Sequence, residues 1–191
     1  MKIPGSASPA SEDRRRRRRL KKVRRTCEAM LVEWGMEHGC GIDELHRYLS
    51  ESRRRTIHLI PTSFPERHLL GLWLKLDDFD VVAFEKSASP AHKEHIITHE
   101  LAHIAFEHRG SVPLDQTSSG PLLSNVDPAG VRGLLMRSRY SDDEEQEAET
   151  MASLILARAT KRWVEPAWAV PEEAADVVAR IEQGLGKAEP Q

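Results

Sequence analysis

An α+β fold is predicted for this chain of 191 residues from two features. In long segments toward both ends, apolar residues recur every three or four positions, the helical period. Between them, three short runs change to β-type composition, and two of these lie close enough to form a hairpin. The length fits one domain with appended tails. The expected core is a small antiparallel three-stranded sheet packed on helices.

Residues 1–13 are rich in Gly, Ser, Pro and Ala, lack periodicity, and read as a disordered leader. Arg14 to Arg19 is an unbroken cationic run, and ten of the twelve residues from 14 to 25 are basic. Leu20, Val23, Cys27, Met30, Leu31 and Trp34 then recur at helical spacing, predicting an amphipathic helix over about 20–34 that stops at Gly35. A second helix is predicted over 42–50, with Ile42, Leu45 and Leu49 on one face. The strands follow at 56–61, 69–76 and 80–85, the last two joined by Asp77-Asp78-Phe79. Ser89-Pro90 pairs an N-cap with proline at the first helical position, so a helix is expected from 90 to about 108. Residues 109–126 form a long loop, and Asp127-Pro128 opens a short helix to about 136. Ser141 and Glu144 spell a capping box for a helix to about 160, and Val170-Pro171 begins a last one ending near Gly184.

Charge is unevenly spread. The formal net charge is −2, yet residues 1–25 carry 11 Lys and Arg against Glu12 and Asp13, leaving the rest acidic. Aromatics are only 5% of the chain, so the core must rest on aliphatic side chains. No apolar run approaches the roughly 20 residues of a membrane span, and the start lacks the apolar stretch of a secretory signal. Cys27 and Cys40 lack metal-type spacing and read as reduced thiols, which makes a cytoplasmic setting the expectation. Arg14 to Arg25 can meet polyanions weakly. No aromatic interleaving, zinc-finger pattern or helix-turn-helix pattern accompanies them to read bases.

The chemistry concentrates at His99-Glu100-Leu101-Ala102-His103, an H-E-x-x-H sequence inside the predicted 90–108 helix. Positions i and i+4 share a helix face, so both imidazoles can converge on one ion while Glu100 lies beside a metal-bound water. Apolar Ile96, Ile97, Leu101 and Ile104 around the motif mark a buried central helix. A catalytic zinc needs a third protein ligand. Residues 144–149 offer four carboxylates, of which Glu147 is the expected ligand, on the flank of the apolar face and beside small Ala148; Glu144 is the reserve. His95 lies one turn before His99, placed for a supporting hydrogen bond or a substrate contact. Tyr140 precedes the glutamate helix and can donate to an oxyanion. His108 reads as a cation suited to the end of its helix.

The run HIITHELAHIAFEH, followed by EEQEAETMASLIL, resembles the ImmA/IrrE family of metallopeptidases, and so does the hairpin GLWLKLDDFDVVAFEKSASP. The resemblance spans about residues 25–160. It implies a gluzincin-like, zincin-type core with the H-E-x-x-H helix at its centre. It also implies zinc as cofactor on His99, His103 and Glu147, with Glu100 as general base. The substrate class it implies is a regulatory protein, most of all a helix-turn-helix repressor. The chain departs from the family pattern with Ala102 where Gly is common and Met151 where an aromatic is common. On this basis the chain divides into a disordered basic arm (1–25), a metallopeptidase domain (26–160) and a C-terminal helix and tail (161–191). Two rival expectations stand beside it: a non-cleaving regulatory or toxin–antitoxin module of the same shape, and a nucleic-acid-associated protein acting through the arginine-rich arm.

Overall fold

The computed structural model describes residues 9–64, 69–76, 78–108 and 140–159, and, toward the C-terminus, 163–166, 168, 170–172, 174–176, 178 and 179. The predicted 109–126 loop, the 127–136 helix and the end of the last helix near 184 lie outside them.

Helix α1 spans Pro9–Glu33. It begins well before residue 20, and residues 9–25, expected as part of a disordered arm, belong to it. Arginine and lysine are good helix formers, so the basic run can continue a helix that the apolar seam starts. Asp13–Arg17 and Arg24–Glu28 pairs at i, i+4 help it, at 3.1 and 3.0 Å. Only Val23, Cys27 and Leu31 are buried along its axis, and this seam packs on the last long helix. The end is at Gly35 as predicted. Gly35 takes φ +71°, its N–H reaches Val32 O at 3.0 Å, and Met36 N–H reaches Leu31 O at 2.7 Å. That is a Schellman closure, with Leu31 and Met36 joining in the core.

Helix α2, Ile42–Arg53, buries Ile42, Leu45 and Leu49 as the spacing requires. Three strands follow: β1 (Thr56–Thr62), β2 (Gly71–Lys75) and β3 (Phe79–Glu85). Their order is β1-β3-β2. β2 and β3 form the expected antiparallel pair, with Trp73 opposite Val82. β1 pairs with β3 in parallel, Leu59 opposite Val82. The sheet is therefore mixed, which corrects the all-antiparallel expectation. β3 is the central strand because Asp80 to Phe84 is buried on both faces. Val82 and Phe84 face the helices, while Val81 and Ala83 join Leu72, Leu74, Ala174 and Val178 on the other side.

Helix α3, Pro90–Ala105, starts as predicted, with Ser89 accepting from His92 N–H. It lies on the helical face of the sheet, against β2, β3 and α2. Helix α4, Asp142–Arg158, carries the predicted capping box and packs along α3 and α1 through Ala148, Met151, Ala152 and Ile155. The fold is α+β. No described helix is long and apolar enough to cross a membrane.

Candidate metal centre

Ala102 and Ala148 are completely buried small side chains on the facing helices α3 and α4. The interface brings the imidazoles of α3 to the carboxylates of α4. His99 Nε2 and His103 Nε2 lie 3.0 Å apart. Glu145 Oε2 is 3.3 Å from the first and 4.0 Å from the second. Ligand atoms of these three residues all lie within 4.8 Å of one another. Tetrahedral zinc with bonds of about 2.0–2.1 Å separates its ligand atoms by about 3.3 Å. The 3.0 and 3.3 Å separations suit that spacing and the 4.0 Å one exceeds it, so the three groups are a donor set that could hold such an ion.

The carboxylate is neither of the two expected. Residues 145 and 147 lie about 200° apart around a helix, so they fall on opposite flanks of the buried stripe of α4. Glu145 and Glu149, one turn apart, face α3's histidines. Glu147 faces away from them and meets His108, whose Nε2 is 3.2 Å from its Oε2. Glu144 closes the helix N-terminus. Its Oε2 accepts from Ser141 N–H at 2.8 Å, and Ser141 Oγ accepts from Glu144 N–H at 3.2 Å.

The remaining predicted residues gather around this centre. His95 Nε2 pairs with Glu149 Oε2 at 3.2 Å on the exposed rim. The Tyr140 ring stacks on His103, with centroids 3.6 Å apart and planes at 17°. Burial, aided by the charges of Glu100, Glu145 and Glu144, drives the Tyr140 hydroxyl far above its ordinary pKa, so it stays a neutral donor. Burial also pulls His103 down to about 2, with His99 and His108 adding to the effect, and the ring is neutral as a metal ligand requires. Burial pulls His99 the same way, but its hydrogen bond to Glu145 and the charges of Glu100 and Glu149 outweigh it and raise the net value.

Glu100 is buried beside edge strand β2. Burial lifts its carboxyl to about 7; His99 and the Trp73 main-chain N–H oppose the lift, and Glu145 adds to it. A side chain at Gly71 would put its Cβ 2.7 Å from Glu100 Oε1, so only glycine lets β2 approach this closely. Glu100 Oε2 and His99 Nδ1 have no hydrogen-bond partner among the described residues. A buried carboxyl poised near neutrality and free on one oxygen can take up and return a proton.

Sequence reasoning missed two participants. Glu145 could not be told from its neighbours without the rotation of α4. His108, expected as a cation at the helix end, instead stacks with Phe106, and its Nδ1 comes 2.9 Å from His103 Nδ1. Comparisons of the chain with protein-family profiles, curated proteins and solved structures find no match.

Proposed function

We propose that the chain is a zinc-dependent endopeptidase of the ImmA/IrrE, gluzincin-like kind. One observation carries this reading: the H-E-x-x-H helix brings both histidines to a glutamate of α4, with ligand atoms within 4.8 Å of one another and Glu100 buried beside them and lifted to about 7. His99, His103 and Glu145 would hold the metal, Glu145 standing where Glu147 was expected. Zinc bound there would supply Lewis-acid polarisation of the scissile carbonyl and a more acidic water. Glu100 is placed to take a proton from the attacking water and to return it to the leaving amine. Tyr140, neutral and stacked on His103, offers its hydroxyl to the developing oxyanion. His95 on the rim meets the substrate chain. The substrate class that the sequence resemblance implies is a helix-turn-helix regulator, acted on in the cytoplasm.

The test pairs zinc content with cleavage. Purified protein should carry one zinc per chain that a chelator removes, and should cut a co-expressed helix-turn-helix regulator into discrete fragments. Glu100→Gln should keep the zinc and lose about 10²–10⁴-fold in rate, the range for removal of a general base. Equal cleavage by wild type and variant overturns the reading. Tight binding of the regulator without cleavage by either protein favours the non-cleaving regulatory module instead.

A second reading has its own observation. Residues 11–18 of α1 are exposed all round, and most are arginine. They suit a polyanion, and binding to DNA that falls steeply with salt and vanishes without residues 1–25 would assign a nucleic-acid contact to them.

A further inference from the structure

Helix α3 ends in an unusual way for its sequence. Glu107 takes φ +54°, in the left-handed region where a side chain costs about 1–2 kcal/mol. Its N–H reaches Ile104 O at 3.1 Å, and His108 N–H reaches His103 O at 3.0 Å. These are the two bonds of a Schellman closure, a motif that brings the side chain after the left-handed residue against one in the last turn. That contact is commonly apolar. Here it joins two buried histidines, His103 and His108.

With His108 neutral, the proton positions along this contact follow from what each atom can do. A carboxylate only accepts, so Glu147 Oε2 requires the proton of His108 on Nε2. A neutral His108 then has a bare Nδ1, which accepts from His103. That places the His103 proton on Nδ1, at the 2.9 Å contact. His103 Nε2 is left with its lone pair, aimed at His99 and Glu145.

We propose that His108 and Glu147 are positioning residues that lock His103 in its Nδ1–H form, so that Nε2 is presented to the metal. The role of the metal rests on the proposed function; the proton arrangement itself does not. It gives Glu147 a place in the site as the anchor of the chain Glu147–His108–His103. Partners of this kind behind a ligating histidine typically change metal affinity about 10–100-fold when removed. Glu107's strained turn is then the local cost of bringing His108 under His103.

Two measurements on the full chain test it. Long-range proton–nitrogen NMR of the metal-free protein reads the ring tautomers directly. His103 should be Nδ1–H in the wild type and should lose that single form in His108→Phe and Glu147→Gln. Competition for Zn²⁺ with a chromophoric chelator should show one zinc per chain in both variants, held about 10–100-fold more weakly than in the wild type. Glu147 is 38% exposed, so Glu147→Gln keeps the test open if the core variant fails to fold. His103 protonated on Nε2 in the wild type overturns the proposal. So does wild-type zinc affinity in both variants, which is the result expected if His108 merely packs. Complete loss of zinc in Glu147→Gln, as in His103→Ala, would overturn it by making Glu147 a direct ligand. A wild type that binds no zinc would overturn the proposed function and, with it, the role of His108 in presenting His103 to a metal, whatever the tautomer.

Discussion

Around Asp80 the chain buries a charged cluster and around His103 it gathers a partly exposed one, and the two differ in how fully their polar atoms are matched. Asp80 has no exposed surface, yet Oδ1 meets Arg55 Nε at 2.9 Å and Oδ2 meets Arg53 Nη2 at 3.1 Å. Arg55 goes on to the Phe79 and Leu76 carbonyls, and Arg53 Nη1 reaches Ile104 O at 3.0 Å. Among the described residues, Arg53 Nε is the buried atom there with no hydrogen-bond partner. These bonds tie α2, the connection from α2 to β1, β3 and the end of α3 into one frame. The cluster on the other side of α3 is left open: Glu100 Oε2 and His99 Nδ1 have no hydrogen-bond partner among the described residues, and two imidazole nitrogens face each other. Buried polar groups are normally matched. The matched cluster ties elements of the fold together, and the less fully matched one is the cluster that the proposed function uses.

Breaking the closed cluster should have the larger effect on stability. Asp80→Ala leaves two largely buried guanidinium groups facing each other, a change worth about 3–5 kcal/mol. Denaturant unfolding of metal-free protein measures it, and whatever folded protein remains should bind zinc with unchanged stoichiometry. Loss of less than about 1 kcal/mol would remove the contrast between the clusters.

In the open cluster, the cost should depend on pH. Glu100 sits near 7 when folded against an ordinary 4.5. Between those values the folded chain keeps a proton that the unfolded chain has lost. The stability this contributes is complete below about 4.5 and is lost as pH rises toward 7. Glu100→Gln does not titrate, so metal-free variant should gain on the wild type across that window and keep the gain above it, by about 1–3 kcal/mol. Parallel stability–pH curves for the two proteins would count against a strained Glu100.

A smaller change sharpens the same point without altering any charge. Gly71→Ala would bring a methyl group within 2.7 Å of Glu100 Oε1 and 2.6 Å of Ile96 Cγ2. If the proposed function holds, displacing Glu100 should slow cleavage about 10–100-fold while zinc stays bound, because small misplacements at a reacting centre cost that much. An unchanged rate would show that β2 does not position Glu100. The smallest effect belongs to the thiols, which serve neither cluster. Burial pushes Cys27 up to about 12 and Cys40 up to about 11, so neither should react with a thiol reagent at pH 8 until the chain is unfolded.

Local signals carried much of this organisation. Ser89-Pro90 set the start of α3 and thereby the register that puts His99 and His103 on one face. Ser141 and Glu144 fixed the start of α4, and Gly35 the end of α1. Which carboxylate of α4 meets His99 and His103 was not legible, because an amphipathic stripe has two flanks and Glu145 and Glu147 border opposite ones. The parallel β1–β3 pairing was hidden because β2 follows β1 in sequence but not in the sheet; the unbroken apolar run from Val81 to Phe84 was the trace of a central strand. His108 read as a cation at the helix end because the turn that carries it back to His103 has Glu107, not glycine, at its left-handed position.

The exposed half of α1 has a consequence that reaches into the surrounding solution. Ten cations in the twelve residues from 14 to 25, at 1.5 Å rise each, give one charge per about 1.8 Å of helix axis. Duplex DNA carries one negative charge per about 1.7 Å. This stretch of α1 therefore matches the linear charge density of DNA with the sign reversed, and at that density it gathers its own sheath of small anions. Added salt screens the repulsion among the arginines, and it equally screens the Asp13–Arg17 and Arg24–Glu28 pairs along the same helix. An anionic surface that docks there displaces the sheath, and the entropy of the freed ions drives the contact.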